Sequence, residues 1–223
     1  MLAIPPKRTD RAIVSYLTRS ECDALIAAPD RTSWLGRRDH ALLLLAIQTG
    51  LRVSELTSLT RADVRLETGA HIRCHGKGRK DRCTPLTRPT VTVLRDWLTE
   101  RRDPDGNPLF PSSRSGPLSR DAVQRLVTKH AKTARDHCPS LNAKTVTPHT
   151  LRHSTAMALL ASGVDVSVIA LWLGHESTEV TQIYLNADMT IKERALARLA
   201  PAGPGSAGRY KPPDKLLAFL DSL

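Results

Sequence analysis

GRRDHALLLLAIQTGLRVSEL, residues 36–56, is the stretch on which the fold turns. From Leu42 to Ile47 it is apolar on every side, whereas a surface helix shows an apolar stripe backed by a polar face. A helix of that kind belongs at the centre of a domain. Gly50 stops it, because glycine tolerates the left-handed backbone that ends helices, and RVSELTSLT restarts helix at once. Ahead of this stretch, LTRSECDALIAA carries Thr18 and Glu21 at capping-box spacing, which predicts a short helix closed by Pro29. Behind it the period changes. DVRLE, HIRCH and DRCTPL, between Asp63 and Leu86, are short and rich in β-formers, with GKGRK between the last two. They predict a small antiparallel sheet ending in a hairpin.

Helix resumes in RPTVTVLRDWLTERR, with Pro89 near its first position. RDPDGNPLFPSSRSGPLS then reads as a long Pro, Gly and Ser loop of the kind that is functional or mobile. Further helices are expected at 119–137, 149–162, 165–173, 177–185 and 190–199. The expected class is therefore mostly α with a small antiparallel β-sheet (α+β). Residues 1–14, with Pro5, Pro6 and the Lys7-Arg8 pair, read as an N-terminal linker arriving from elsewhere. The domain closes near Ala200. APAGPGSAGRYKPP after it is a flexible linker by composition, and DKLLAFLDSL has the spacing of a short amphipathic helix that needs a surface to dock on.

A chain of 223 residues with 40% apolar content can bury the core of one large domain or two small ones. Thirty-three Lys and Arg against 22 Asp and Glu give a formal charge of +11 and favour a polyanionic partner, nucleic acid first. Aromatic residues make up only 4%, too few for a platform that stacks single strands, so the backbone of double-stranded DNA is the better match. No window approaches the roughly 18 apolar residues of a membrane span, and MLAIPPKRTD lacks the core of a signal peptide. A cytoplasmic protein without a membrane partner is expected. Cys22, Cys74, Cys83 and Cys138 have no metal-ligand spacing and read as free thiols, although Cys74 and Cys83 flank the hairpin and could face one another.

The candidate site residues are individually weak signals. A His-x-x-Arg pair such as His149 and Arg152 is expected by chance about once in a chain of this composition, so it carries nothing alone. His175 followed by Tyr184 is rarer, at about 0.1 expected occurrences. Context adds weight. Arg52 opens a helix behind the buried one, with Glu55 at the same-face spacing that lets a carboxylate orient a guanidinium. Lys77 lies at the GKGRK hairpin tip. His149 and Arg152 share a helical face and can address one anion. Tyr184 closes a short helix in which Val180 and Ile183 have core spacing.

TGLRVSEL, GKGRKDR, HTLRHSTA and LGHESTEVTQIYL, in that order and at those intervals, resemble the catalytic domain of the tyrosine recombinase (phage integrase) family over about residues 15 to 199. The resemblance puts Arg52 and Arg152 on the family's two catalytic arginines, Lys77 on its hairpin lysine, His149 and His175 on its histidine positions and Tyr184 on its nucleophile. It implies the tyrosine recombinase catalytic-domain fold, and site-specific strand exchange through a 3′-phosphotyrosyl intermediate. A phenol of pKa about 10 is roughly 0.1% ionised at pH 7, a shortfall of about 4 kcal/mol, and His149 is the candidate base. Arg52, Arg152 and His175 would meet the charge on the phosphate oxygens, and Lys77 would protonate the departing 5′-oxygen.

With no carboxylate cluster and no GxxxxGK[ST] loop, neither metal nor nucleotide cofactor is expected. The resemblance also implies a core-binding domain ahead of the catalytic one, which the fifteen or so preceding residues cannot supply. Family members often pass their C-terminal segment to an adjacent protomer in a synaptic tetramer on DNA, and residues 200–223 are built to allow that, with docking on their own domain as the alternative; in isolation a monomer is expected. Two alternatives share parts of this pattern. A DNA-binding regulator would keep the fold without chemistry, and a type IB topoisomerase would use the same chemistry to relax supercoils.

Overall fold

In the computed structural model, which describes residues 15–75, 81–101 and 107–174, the first helix, α1 (Arg19–Ala27), opens on the capping box its sequence carries. The Thr18 amide donates to Glu21 Oε2 at 2.7 Å and the Glu21 amide returns to Thr18 Oγ1 at 3.4 Å. The Glu21 carboxylate is buried, and Lys144 Nζ at 2.6 Å and Ser140 Oγ at 2.7 Å complete its shell. This pins the start of the domain to residues more than a hundred positions away.

The helix built from the opening stretch, α2 (Trp34–Thr49), is the central one. Leu42, Leu43 and Leu45 are 1%, 0% and 0% exposed, and α2 packs against α1, α4 (Arg88–Arg101) and α6 (Pro148–Ala161). Asp39 on α2 joins a buried polar network. It accepts from Arg38 Nε at 2.9 Å and pairs with His130 Nε2 at 2.8 Å across to α5 (Arg120–Arg135). Gly50 ends α2 at φ 64° and ψ 26°, the left-handed cap expected of it. A Cβ there would stand 2.6 Å from Leu173 Cδ2 and 3.1 Å from Thr155 Cβ, besides straining the backbone. Gly50→Ala should therefore cost about 1–3 kcal/mol, read as a fall of several degrees in the thermal unfolding midpoint.

Chain reversal at Gly50 leads directly into α3 (Val53–Ser58). The three strands β1 (Val64–Arg65), β2 (His71–His75) and β3 (Asp81–Pro85) then form an antiparallel sheet in that order. Cys74 pairs with Arg82 and Arg73 with Cys83. The expectation that Cys74 and Cys83 could face one another fails for this reason: residues one step out of register lie on opposite faces of a pleated sheet. Cys74 is buried, Cys83 is exposed, and both are free thiols, as are Cys22 and Cys138.

The loop expected to be mobile or functional is different where it is described. Leu109, Phe110 and Leu118 are 0%, 3% and 7% exposed, and Trp97 Nε1 donates to the Leu109 carbonyl at 2.9 Å. Proline and serine set its composition, but its Leu-Phe pair drives it into the core. α5 follows, capped by Ser119, and α6 by Thr147 with Pro148 in its first turn. α7 (Val166–Leu173) begins at Asp165 and ends at Gly174, left-handed at φ 65°. These last three helices fall within two residues of the expected boundaries.

The fold is thus mostly helical with one small antiparallel sheet. Two compact units divide the chain, Met1–Asp188 and Met189–Leu223, and the second lies wholly outside the described residues. The helices expected at 177–185 and 190–199 and the terminal segment 200–223 fall outside them too. Among the described residues no helix is long and apolar enough to cross a membrane.

Candidate active site

Helix C-termini leave carbonyls without intrahelical partners, and those of α7 are met by arginines from three distant elements. Arg82 Nε on β3 donates to the Trp172 carbonyl at 3.2 Å, Arg152 Nη2 on α6 to Leu173 at 2.8 Å, and Arg52 Nη2 at the start of α3 to Gly174 at 2.8 Å. Three consecutive acceptors thus gather three guanidinium groups. The partial negative charge at a helix C-terminus favours cations there, which eases their mutual repulsion.

Each arginine is held by something else as well. Arg152, 5% exposed, donates through Nη1 to the Gly50 carbonyl at 2.6 Å, so the left-handed turn that ends α2 also aims this side chain. Arg52 is oriented by Glu55, as its spacing predicts. Glu55 Oε2 accepts from the Arg52 amide at 2.7 Å, and Oε1 from Arg52 Nη1 at 3.1 Å. Arg82 grips the same carboxylate with both terminal nitrogens, at 2.9 and 2.8 Å. Burial pushes the Glu55 carboxyl up. The Arg82 hydrogen bonds, the Arg52 amide and the charges of both arginines outweigh it and hold the group below the usual carboxylate range. Glu55 is therefore a fixed anion at neutral pH. Three guanidinium charges less one carboxylate leave the cluster at +2.

His149 sits in the first turn of α6, exposed, one turn before Arg152. Its ring meets that of His153 edge to face, with centroids 4.1 Å apart. Burial, and then the neighbouring His149 and Arg152 charges, push the His153 imidazole down to about 4, so it is neutral at pH 7. A neutral neighbour adds no positive charge beside His149.

Of the residues singled out in the sequence, Arg52 and Arg152 converge on α7, and His149 lies on the same helix as Arg152. Lys77, His175 and Tyr184 lie outside the described residues. Lys77 belongs to the connection between β2 and β3, and His175 directly follows Gly174. Sequence reasoning missed Arg82 and His153. Arg82 carried a faint signal, a charged residue at an inward position opposite Cys74, but its partners are 27 and 90 positions away. Among the described residues no group of three or more His, Cys, Asp or Glu side chains stands where it could hold a metal ion.

Comparison with known proteins accords with this geometry. The model of the phage integrase family matches residues 15–190. A protein from Sinorhizobium fredii carrying the name integrase/recombinase y4rC is 56% identical over 223 residues, the whole of this chain and 67% of that protein. Tyrosine recombinase XerD from Xanthomonas axonopodis pv. citri is 40% identical over 192 residues, 81% of this chain and 61% of the relative, so the match spans somewhat less than two thirds of that protein's length. A crystal structure of XerH site-specific recombinase bound to palindromic difH substrate, in a post-cleavage complex, superimposes with a TM-score of 0.70 at 26% identity, covering 83% of this chain and 53% of that one. With its arginine cluster, its helix order and the family match over residues 15–190 all in agreement, the chain belongs to the phage integrase family.

Proposed function

We propose that the chain is the catalytic part of a site-specific DNA recombinase that cleaves and rejoins strands through Tyr184, forming a 3′-phosphotyrosyl link and releasing a 5′-hydroxyl. The observation carrying this reading is the convergence of Arg52 and Arg152, from two distant elements, on the adjacent carbonyls of Gly174 and Leu173. Such a pre-formed pair of planar, permanently charged donors suits a phosphate that becomes a pentacoordinate dianion. The cluster charge of +2 matches that dianion, and the +11 of the whole chain favours a duplex. His149 would take the phenolic proton, His175 would add a donor to the non-bridging oxygens, and Lys77 would protonate the leaving oxygen.

In this reading residues 15–199 form the catalytic domain, residues 1–14 a linker into it, and residues 200–223 a linker and helix handed to a neighbouring protomer. Four copies would assemble on DNA from monomers, in the cytoplasm where that DNA lies. The covalent link conserves the energy of the phosphodiester, so rejoining needs neither metal nor nucleotide.

The test uses a nicked duplex carrying a site selected by the chain from a random-sequence library. The nick lets the short product diffuse away and strands the protein on DNA. An adduct that survives denaturant, and forms undiminished in excess chelator, is the expected result. Binding without an adduct would leave a regulator, and relaxation of supercoiled plasmid without strand exchange would favour a topoisomerase. Affinity for the duplex should fall by orders of magnitude between about 50 and 200 mM salt, because phosphate contacts release counterions.

A further inference from the structure

Glu55 holds Arg52, but something must hold Glu55. A carboxylate offers about four acceptor positions, and here each oxygen serves two donors, one from Arg52 and one from Arg82. The two partners are not equivalent. The side chain of Arg52 is 41% exposed, so solvent screens its side of the contact with Glu55, and its guanidinium reaches the carboxylate through one nitrogen only. That of Arg82 is 13% exposed, and its fork lies parallel to the carboxylate, the geometry that adds direction as well as energy.

Arg82 reaches this position because β3 pairs it opposite Cys74, on the buried face of the sheet. Its third donor, Nε, holds the Trp172 carbonyl, one peptide before the acceptor of Arg152 and two before that of Arg52. At Gly174, left-handed at φ 65°, a Cβ would stand 2.7 Å from Arg82 Nη1, so a side chain there would displace the guanidinium. The same strand leads out of the connection that contains Lys77.

We propose that Arg82 is a positioning residue for Arg52: by locking the Glu55 carboxylate and the last turn of α7 together, it fixes both groups that aim the Arg52 guanidinium. The inference rests on the recombinase reading for its consequence, since Arg52 acts on the phosphate only if that reading holds. Arg82 itself touches no reacting atom. Loss of its fork leaves a buried carboxylate with one exposed partner, and a misplacement of about 1 Å at a charged donor is enough to cost on the order of a hundredfold in rate.

Two measurements decide it. The first needs no DNA: hydrogen exchange of the Arg52 amide, followed by NMR in the whole chain and in Arg82→Gln. That amide donates to Glu55, so its exchange should quicken about tenfold or more while the amides of α2 stay as they were. The second is single-turnover formation of the adduct on the selected nicked duplex. Arg82→Gln should slow it about 10- to 100-fold with the half-saturating DNA concentration nearly unchanged. Combined with Glu55→Gln, it should add almost no further loss, because both act through one carboxylate. Should Arg82→Gln unfold, Arg82→Lys keeps the charge without the fork, and the same non-additivity is expected.

Unchanged exchange at Arg52, additive losses, or a loss confined to DNA affinity would each overturn the assignment. If the parent chain forms no adduct, the recombinase reading fails, and the amide measurement still decides whether Arg82 positions Arg52.

Discussion

Tyr184→Phe should abolish the covalent protein–DNA adduct while duplex affinity stays within a few-fold of the parent. The substitution removes one hydroxyl and keeps the aromatic ring, the smallest change that takes away the proposed nucleophile. Chemistry has everything to lose, because no other side chain is proposed to attack the phosphate. The residual rate should lie at the detection limit in single-turnover assays, with retention in a gel-shift assay at low salt as the control. An adduct of normal yield would remove Tyr184 from the mechanism.

Arg152→Lys is the second large effect. The guanidinium is buried, and its two terminal nitrogens already hold the Gly50 and Leu173 carbonyls at 2.6 and 2.8 Å. A lysine keeps the charge but is a point donor on a flexible stem and cannot reproduce a planar fork. Loss of one pre-organised donor to a transition-state oxygen is worth about 3–4 kcal/mol, or roughly 100- to 1000-fold in the cleavage step. The unsatisfied carbonyls add a cost of about 1–3 kcal/mol in stability. Cleavage should therefore fall by that factor at a temperature well below the lowered unfolding midpoint. Affinity should move far less, since one phosphate contact is a small part of the total. Equal losses in affinity and in rate would place Arg152 in ground-state binding instead.

What the sequence reveals, and what it hides, follows from the range of the interactions. The capping box at Thr18 and Glu21, the halt of α2 at Gly50 and the pairing of Arg52 with Glu55 all act across four residues or fewer, and each is present as read. Centrality of α2 was legible too, since a helix apolar on every side has few alternatives. The descent of Leu109 and Phe110 into the core was not, because proline and serine on either side look like a surface loop and the partner Trp97 lies on another element.

In the site, Arg52, His149 and Arg152 could be picked out from their spacing and order. Arg82 could not, because its function depends on strand register and on a helix end 90 residues away. The same holds for the network of Arg38, Asp39 and His130, whose members look like ordinary surface residues until α2 and α5 are packed. His153 reads as a neighbour of Arg152, and it takes burial, together with the nearby His149 and Arg152, to push its imidazole down to about 4. Long-range electrostatics is the part of this site that a linear reading does not reach.

The most direct test of the account is to digest the denaturant-resistant adduct with trypsin and nuclease and to locate the modified residue by mass spectrometry. The expected product is a nucleotide joined through phosphate to Tyr184, within the tryptic peptide His153 to Lys192 that follows from cleavage after Arg152 and Lys192. A nucleotide on any other side chain, or an adduct with none, would contradict it.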